Sequence, residues 1–135
     1  MRLLIDGNVV LDVLQSREPH VAESSKVWKL CETEQAEGYI SALTFANLVY
    51  VMRKELEPEK IEDVLKKLSL IFRFVDLSVA DMNNAAAMKW DDFEDALQTA
   101  TAERIHADFI ITRKIKDFCG RKIIAFTPAE LLARL

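Results

Sequence analysis

Apolar positions along this chain fall into short unbroken runs that alternate with longer, helically spaced ones. "RLLID" (2–6) reads as a buried strand, and Asn8 suits the N-cap of a helix over "VVLDVLQ". Pro19 sits at a helix start, and Val21, Val27, Trp28, Leu30 and Cys31 give an imperfect stripe to about Gln35. Gly38 breaks that pattern before "YISAL", a short strand. Thr44 suits the cap of a helix over "FANLVYVMRKEL". Pro58 opens "EKIEDVLKKLSLI", with Ile61, Leu65 and Leu68 on one face. "FRFVDL" is the third strand. Ser78 caps a helix running toward Trp90, and another begins near Asp92 and continues to about His106. "DFIIT" and "KIIAF" are the last two strands. "TPAELLARL" closes the chain, with Thr127 and Glu130 in capping-box spacing and Pro128 at the first helical position.

Strands that alternate with helices, and that are apolar throughout, favour a parallel sheet covered on both faces. The expected class is α/β, with about five strands. No repeat, low-complexity tract or linker interrupts the pattern, so residues 1–135 are read as a single domain. In such sheets ligands bind outside the carboxyl ends of the strands, where strand order reverses. Asp6 follows the first strand and falls on that rim.

Composition narrows the picture. Half of the 135 residues are apolar, with only three glycines and three prolines, which suits well-formed elements and short connections. No apolar run is long enough to span a membrane, and the N-terminus does not read as a signal peptide. Cys31 and Cys119 form no CxxC pair, so a reduced, cytoplasmic protein is expected. The net charge of −4 argues against a nucleic-acid partner, but its distribution argues otherwise. "RKIKDFCGRK" (113–122) holds five basic residues and one acid, a local +4 that leaves −8 elsewhere. Such a cluster is a phosphate footprint or a solvated loop, and only its position relative to the acids decides between them.

Other polar residues fall at the same ends of elements. "YISAL" leads through Thr44 into a helix carrying Asn47. "WDDFEDALQTA" places Asp91, Asp92, Glu94 and Asp95 around a helix start, and "DFIIT" ends in Thr112 ahead of Asp117. Carboxylates gathered at one rim repel one another unless protons or cations neutralise them. Mg²⁺ and Mn²⁺ suit such oxygen-only sets. Each acid also has a plainer role. Asp6 suits a strand-to-helix turn, and Asp91, Asp92 and Glu94 suit a helix N-terminus. Asp117 suits a turn beside a Lys or Arg, and Asp12 is expected on the exposed side of its helix. Asp95, next to Ala96 and Leu97, is less easily explained that way. His20 and His106 are isolated and receive no chemical role.

Four blocks, in order and spacing, carry a family resemblance: "LLIDGNVVLD", "YISALTFANLVYVMRK", "DFEDALQTATAERIHADFIITRKIKDF" and "FTPAELL". Together they resemble a PIN domain, the nuclease fold of VapC-type toxins from toxin–antitoxin pairs, over essentially the whole chain. The resemblance implies a Rossmann-like three-layer α/β/α sandwich and a divalent-metal-dependent ribonuclease acting on single-stranded RNA. By position it implies Asp6, Asp95 and Asp117 as catalytic metal ligands for Mg²⁺ or Mn²⁺, with Glu94 and Asp92 as secondary ones. Thr112 matches the hydroxyl residue ending the fourth strand, and Asn8 the polar residue supporting the first aspartate. Arg113, Lys114, Lys116, Arg121 and Lys122 are then expected to draw in the RNA backbone. An antitoxin partner and a homodimer are also implied, the apolar side of the segment from Phe45 to Leu70 being a candidate dimer surface.

The chain departs from the pattern at Asn47, where many members carry a glutamate. An amide oxygen can ligate Mg²⁺ or hold a water but brings no charge and cannot act as a base. Gly7 replaces a frequent Thr or Ser, and Lys114 a frequent Asn or Asp. Lys114 would contact a phosphate or neutralise part of the acidic cluster. Three other readings compete: a PIN-fold binding module that has lost catalysis, a phosphoacceptor domain using Asp76 in "FRFVDLS", and a purely structural partner protein.

Overall fold

The computed structural model describes residues 1–118 and 122–135; the sequence-predicted roles of Cys119 and Arg121 lie outside the described residues. Its elements, in chain order, are β1 (Arg2–Ile5), α1 (Gly7–Leu14), α2 (Val21–Glu32), β2 (Glu37–Ser41), α3 (Ala42–Met52), α4 (Pro58–Ile71) and β3 (Arg73–Val75). There follow α5 (Val79–Met88), α6 (Phe93–Arg104), β4 (Phe109–Ile111), a 3₁₀ turn (Ile115–Phe118), β5 (Ile124–Phe126) and α7 (Pro128–Ala133). The five strands form one parallel sheet in the order β3-β2-β1-β4-β5.

β1 is central, and its side chains are buried on both faces. Leu3 and Ile5 pack with Val9, Val10, Leu48, Leu68 and Leu131, drawn from α1, α3, α4 and α7. Leu4 points the other way, toward Ala102, Ile110 and Phe118. Beyond it Ala85, Ala96, Leu97 and Ala100 join α5 to α6, the alanines allowing close approach. Helices therefore cover both faces, and the fold is the expected α/β/α sandwich. Among the described residues, no helix is long and apolar enough to cross a membrane.

Two helix starts differ from the sequence expectation. Asp6, not Asn8, is the N-cap of α1, its carboxylate accepting the Gly7 N–H. Ser41, not Thr44, caps α3, its hydroxyl accepting the Thr44 N–H. In both cases the strand turns directly into the helix, so its last polar residue does the capping. α2 is also shorter than predicted, running from Val21 to Glu32. The caps at Ser78, Asp92 and Thr127 stand as expected, with full capping boxes at Ser78 and Thr127.

Candidate functional site

Strand register gathers the polar residues. Leu4 pairs with Tyr39 of β2 and Ile5 with Ile111 of β4, and continuing each ladder sets Asp6 beside Ser41 and Thr112. The Asp6 N–H donates to the Ile111 carbonyl at 2.9 Å, so the ladder reaches the tip. The gap between β1 and β4 is where strand order reverses, the place at which α/β sheets bind ligands.

Asp6 is held from four sides. One oxygen, Oδ1, accepts from the Gly7 N–H at 2.9 Å and from Gln98 Nε2 at 3.3 Å. The other, Oδ2, accepts from the Thr112 hydroxyl at 2.8 Å and from Asn8 Nδ2 at 3.4 Å. Its partners are themselves anchored. Gln98 also donates to Thr44 Oγ1 at 2.9 Å and accepts from the Ser41 hydroxyl at 2.7 Å. Thr112 Oγ1 accepts from Asn8 Nδ2 and from the Lys114 N–H, and Asn8 Oδ1 accepts from the Arg113 N–H. The result is a carboxylate with one fixed orientation.

Asp95 lies one turn before Gln98 on α6, so both face the rim of β1. Only 2% of Asp95 is exposed. Its Oδ1 pairs with Lys114 Nζ at 3.4 Å, and its Oδ2 is buried without a partner among the described residues. Burial pushes the Asp95 carboxyl up to about 6; the Lys114 ammonium pulls it down, and the charges of Asp92 and Asp6 raise it further. Lys114 is shifted in turn. Burial works against its charge, but Asp95, Asp6 and Asp92 together hold its pKa above the usual lysine value. Asp6, Asn8, Thr44, Asn47, Glu94 and Lys114 line a cleft of about 200 Å³, Asn47 being the residue at the position the family resemblance assigns to an acid.

The raised Asp95 gives a signed prediction for protein in EDTA. The folded chain holds this proton to about pH 6, and the unfolded chain loses it near pH 4. Its contribution to stability is therefore complete below about pH 4 and is lost as pH rises through about 6. Urea melts of wild type and Asp95→Asn are expected to converge at pH 4 and to diverge by pH 7.5. There the variant should be the more stable, by about 1–3 kcal/mol.

Asp117 stands exposed on the 3₁₀ turn, and its carboxylate makes no hydrogen bond among the described residues. Lys116 and Lys122 are likewise exposed. Asp92 is the cap of α6, accepting the Asp95 N–H at 3.3 Å. Asp76 follows β3, two strands from β1, so the aspartate that the phosphoacceptor reading uses is not on a strand next to that of Asp6. Among the described residues no three acidic, His or Cys side chains are gathered tightly enough to cage an ion. Mg²⁺ does not need a cage: one or two carboxylates and several waters suffice. An oxygen-only pair at Asp6 and Asp95, with one buried carboxylate oxygen free, fits such an ion.

Sequence reasoning missed three residues. Gln98 and Ser41 orient Asp6, and the spacing of Gln98 three residues after Asp95 was the available signal. Asp12, expected to be exposed, is fully buried. It accepts from the Ser24 hydroxyl at 3.0 Å and from Arg113 Nε at 2.9 Å. Because Arg113 comes from the far end of the chain, helix periodicity alone could not reveal the pairing. The ion pair ties the segment after β4 to α1, and with it the backbone carrying Thr112 and Lys114.

Comparison with known proteins bears on the family and the fold. Residues 2–116 match the PIN domain family. No curated protein matches in sequence. Among solved structures, a toxin–antitoxin complex from Klebsiella pneumoniae superposes with a TM-score of 0.73 at 22% identity, covering 93% of this chain and 97% of that one. VapBC2 of Rickettsia felis, bound to a promoter DNA fragment, gives 0.73 at 16% identity over 94% and 98%. VapC20 of Mycobacterium tuberculosis, a sarcin-ricin loop cleaving toxin, gives 0.64 at 11% identity over 80% and 86%.

Proposed function

Given that the chain belongs to the PIN domain family, we propose that it is a divalent-metal-dependent endoribonuclease of the toxin type, hydrolysing phosphodiester bonds of single-stranded RNA. The observation that carries this reading is the acid pair at the strand-order reversal. Asp6 is locked in one orientation, and Asp95 is buried with one oxygen free. A buried carboxylate whose one long contact to Lys114 leaves its second oxygen unpartnered is costly in a fold, and a bound cation would offset that cost.

Asp6 and Asp95 would hold Mg²⁺ or Mn²⁺, with Asp117, Glu94 and Asp92 reaching the ion through water. Such an ion supplies a nucleophile at neutral pH by acidifying water, and it offsets the charge that develops on the phosphate. The protein's own part is placement. Thr112, Asn8 and Gln98 fix the Asp6 oxygens, and Ser41 and Thr44 fix Gln98. Asn47, in the cleft wall, would take the place of a charged ligand through its amide oxygen. Arg113, Lys116 and Lys122 would attract the RNA backbone, which makes binding weaken with salt. The structurally similar toxin–antitoxin complexes and the sarcin-ricin loop cleaving toxin support an antitoxin partner and an RNA substrate, while a homodimer and a cytoplasmic site of action enter the same proposal from the family resemblance alone.

The test is cleavage of a mixed single-stranded RNA with Mn²⁺, with Mg²⁺ and with EDTA, run beside Asp95→Asn. Metal-dependent cleavage that the variant lacks is the expected result. Intact RNA with both metals, together with retained RNA binding, would instead favour a binding module in which Asn47 has cost the site its activity.

A further inference from the structure

Lys114 is a sequence departure whose two expected roles, phosphate contact and neutralisation of the acids, the ribonuclease reading does not decide between. Its backbone N–H is fixed to Thr112 Oγ1 at 3.1 Å, so the residue is anchored at the rim. Its side chain is otherwise loosely held. It is 47% exposed, and Nζ stands 3.4 Å from one buried oxygen of Asp95. It also feels the charges of Asp6 and Asp92, so the ammonium lies in the field of the same carboxylates that a divalent ion would use. Asp95 Oδ2 stays unpartnered even with Lys114 in place. One long contact to a half-exposed lysine is a weak bond, and two carboxylates are a strong site for a doubly charged ion.

We infer that Lys114 is a tethered counter-ion: its ammonium offsets part of the charge of the acid pair in the cation-free protein and must leave the cleft before a divalent cation can bind. The inference rests on the metal site of the ribonuclease reading and adds a competition within it. Two positive groups cannot share the pair without mutual repulsion, and a flexible lysine stem on a fixed backbone lets the ammonium move out into solvent. Apparent cation affinity is thus set low by the chain itself, and removing the ammonium raises it.

Titration with Mn²⁺ alone, followed by the electron paramagnetic resonance of the free ion and by calorimetry, tests this on wild type, Lys114→Met, Lys114→Arg and Asp95→Asn. Met keeps the length and packing of the stem and removes only the charge. Lys114→Met is expected to bind Mn²⁺ about tenfold more tightly than wild type, and Lys114→Arg to stay near wild type. In EDTA the Met variant should melt below wild type, and added Mn²⁺ should raise its melting temperature by more. If Asp95→Asn loses Mn²⁺ binding while Lys114→Met matches or falls below wild type, the counter-ion role is overturned and the metal site stands. Weaker RNA binding by that variant would then mark Lys114 as a phosphate contact. If neither wild type nor Lys114→Met binds Mn²⁺, the inference and the metal-dependent reading fall together.

Discussion

Replacing Asp6 by Asn is expected to lower RNA cleavage by about a thousandfold or more while leaving the fold nearly as stable as before. The two halves of that expectation come from one set of hydrogen bonds. Oδ1 faces two donors, the Gly7 N–H and the Gln98 amide, so an asparagine would keep its oxygen there. Its amide nitrogen would then face Thr112 Oγ1, which already accepts from Asn8 Nδ2 and the Lys114 N–H and takes the new donor only by releasing Asn8. The contact with Asn8 is lost in that arrangement, at a cost of about 1 kcal/mol. Removal of a negative charge near Asp95 works in the opposite direction, because Asp6 helps to raise the Asp95 pKa. Single-turnover cleavage measured beside a thermal melt separates the effects. An active Asp6→Asn protein would show that the carboxylate is only a helix cap, and the metal site would have to be sought elsewhere.

Gly38→Ala is expected to destabilise the protein by about 2–4 kcal/mol. Gly38 is buried in β2, and a Cβ there would meet Cys31 Sγ at 2.6 Å and Phe72 Cδ1 at 2.7 Å. Neither neighbour can yield cheaply. Cys31 and Phe72 are almost fully buried, and Phe72 stacks edge-on against Trp28 with ring centroids 5.1 Å apart. Burial also pushes the Cys31 thiol up to about 12, so it stays a neutral packing atom. Cys31→Ala should therefore rescue part of the loss, and the double variant should be more stable than the sum of the two single changes. Urea denaturation of the four proteins measures this. A Gly38→Ala midpoint equal to wild type would mean that the strand can move away from α2 at no cost.

How much of this was legible beforehand follows the range of the signals. Apolar runs and helical stripes are local, and they revealed the alternating elements, the parallel sheet and Asp6 on its rim. Caps were misread at Asn8 and Thr44 because several residues in each stretch suit the role by type. Strand-to-helix turns tighter than the periodicity suggested gave it to Asp6 and Ser41. Asp12 was misread because a helix face is polar for two reasons, solvent or a distant charged partner, and its partner Arg113 lies in the connection after β4. Gln98 was missed because an amide carries no charge to draw attention, though its spacing from Asp95 put both on one face. The bias toward acids in reading a metal site thus overlooks the neutral groups that hold those acids still.

The position of β1 in the sheet has a consequence for the order in which the molecule is made. The strand synthesised first lies in the middle, and Thr112, which secures the Asp6 carboxylate, lies 106 residues downstream. Pairings of that separation close late and slowly. During translation α1, α2 and β2 can assemble beside β1, yet the cleft has no second wall until β4 has left the ribosome and docked. Asp6 therefore leaves the ribosome about a hundred residues ahead of the hydroxyl that secures it, and the site takes shape only once β4 has docked.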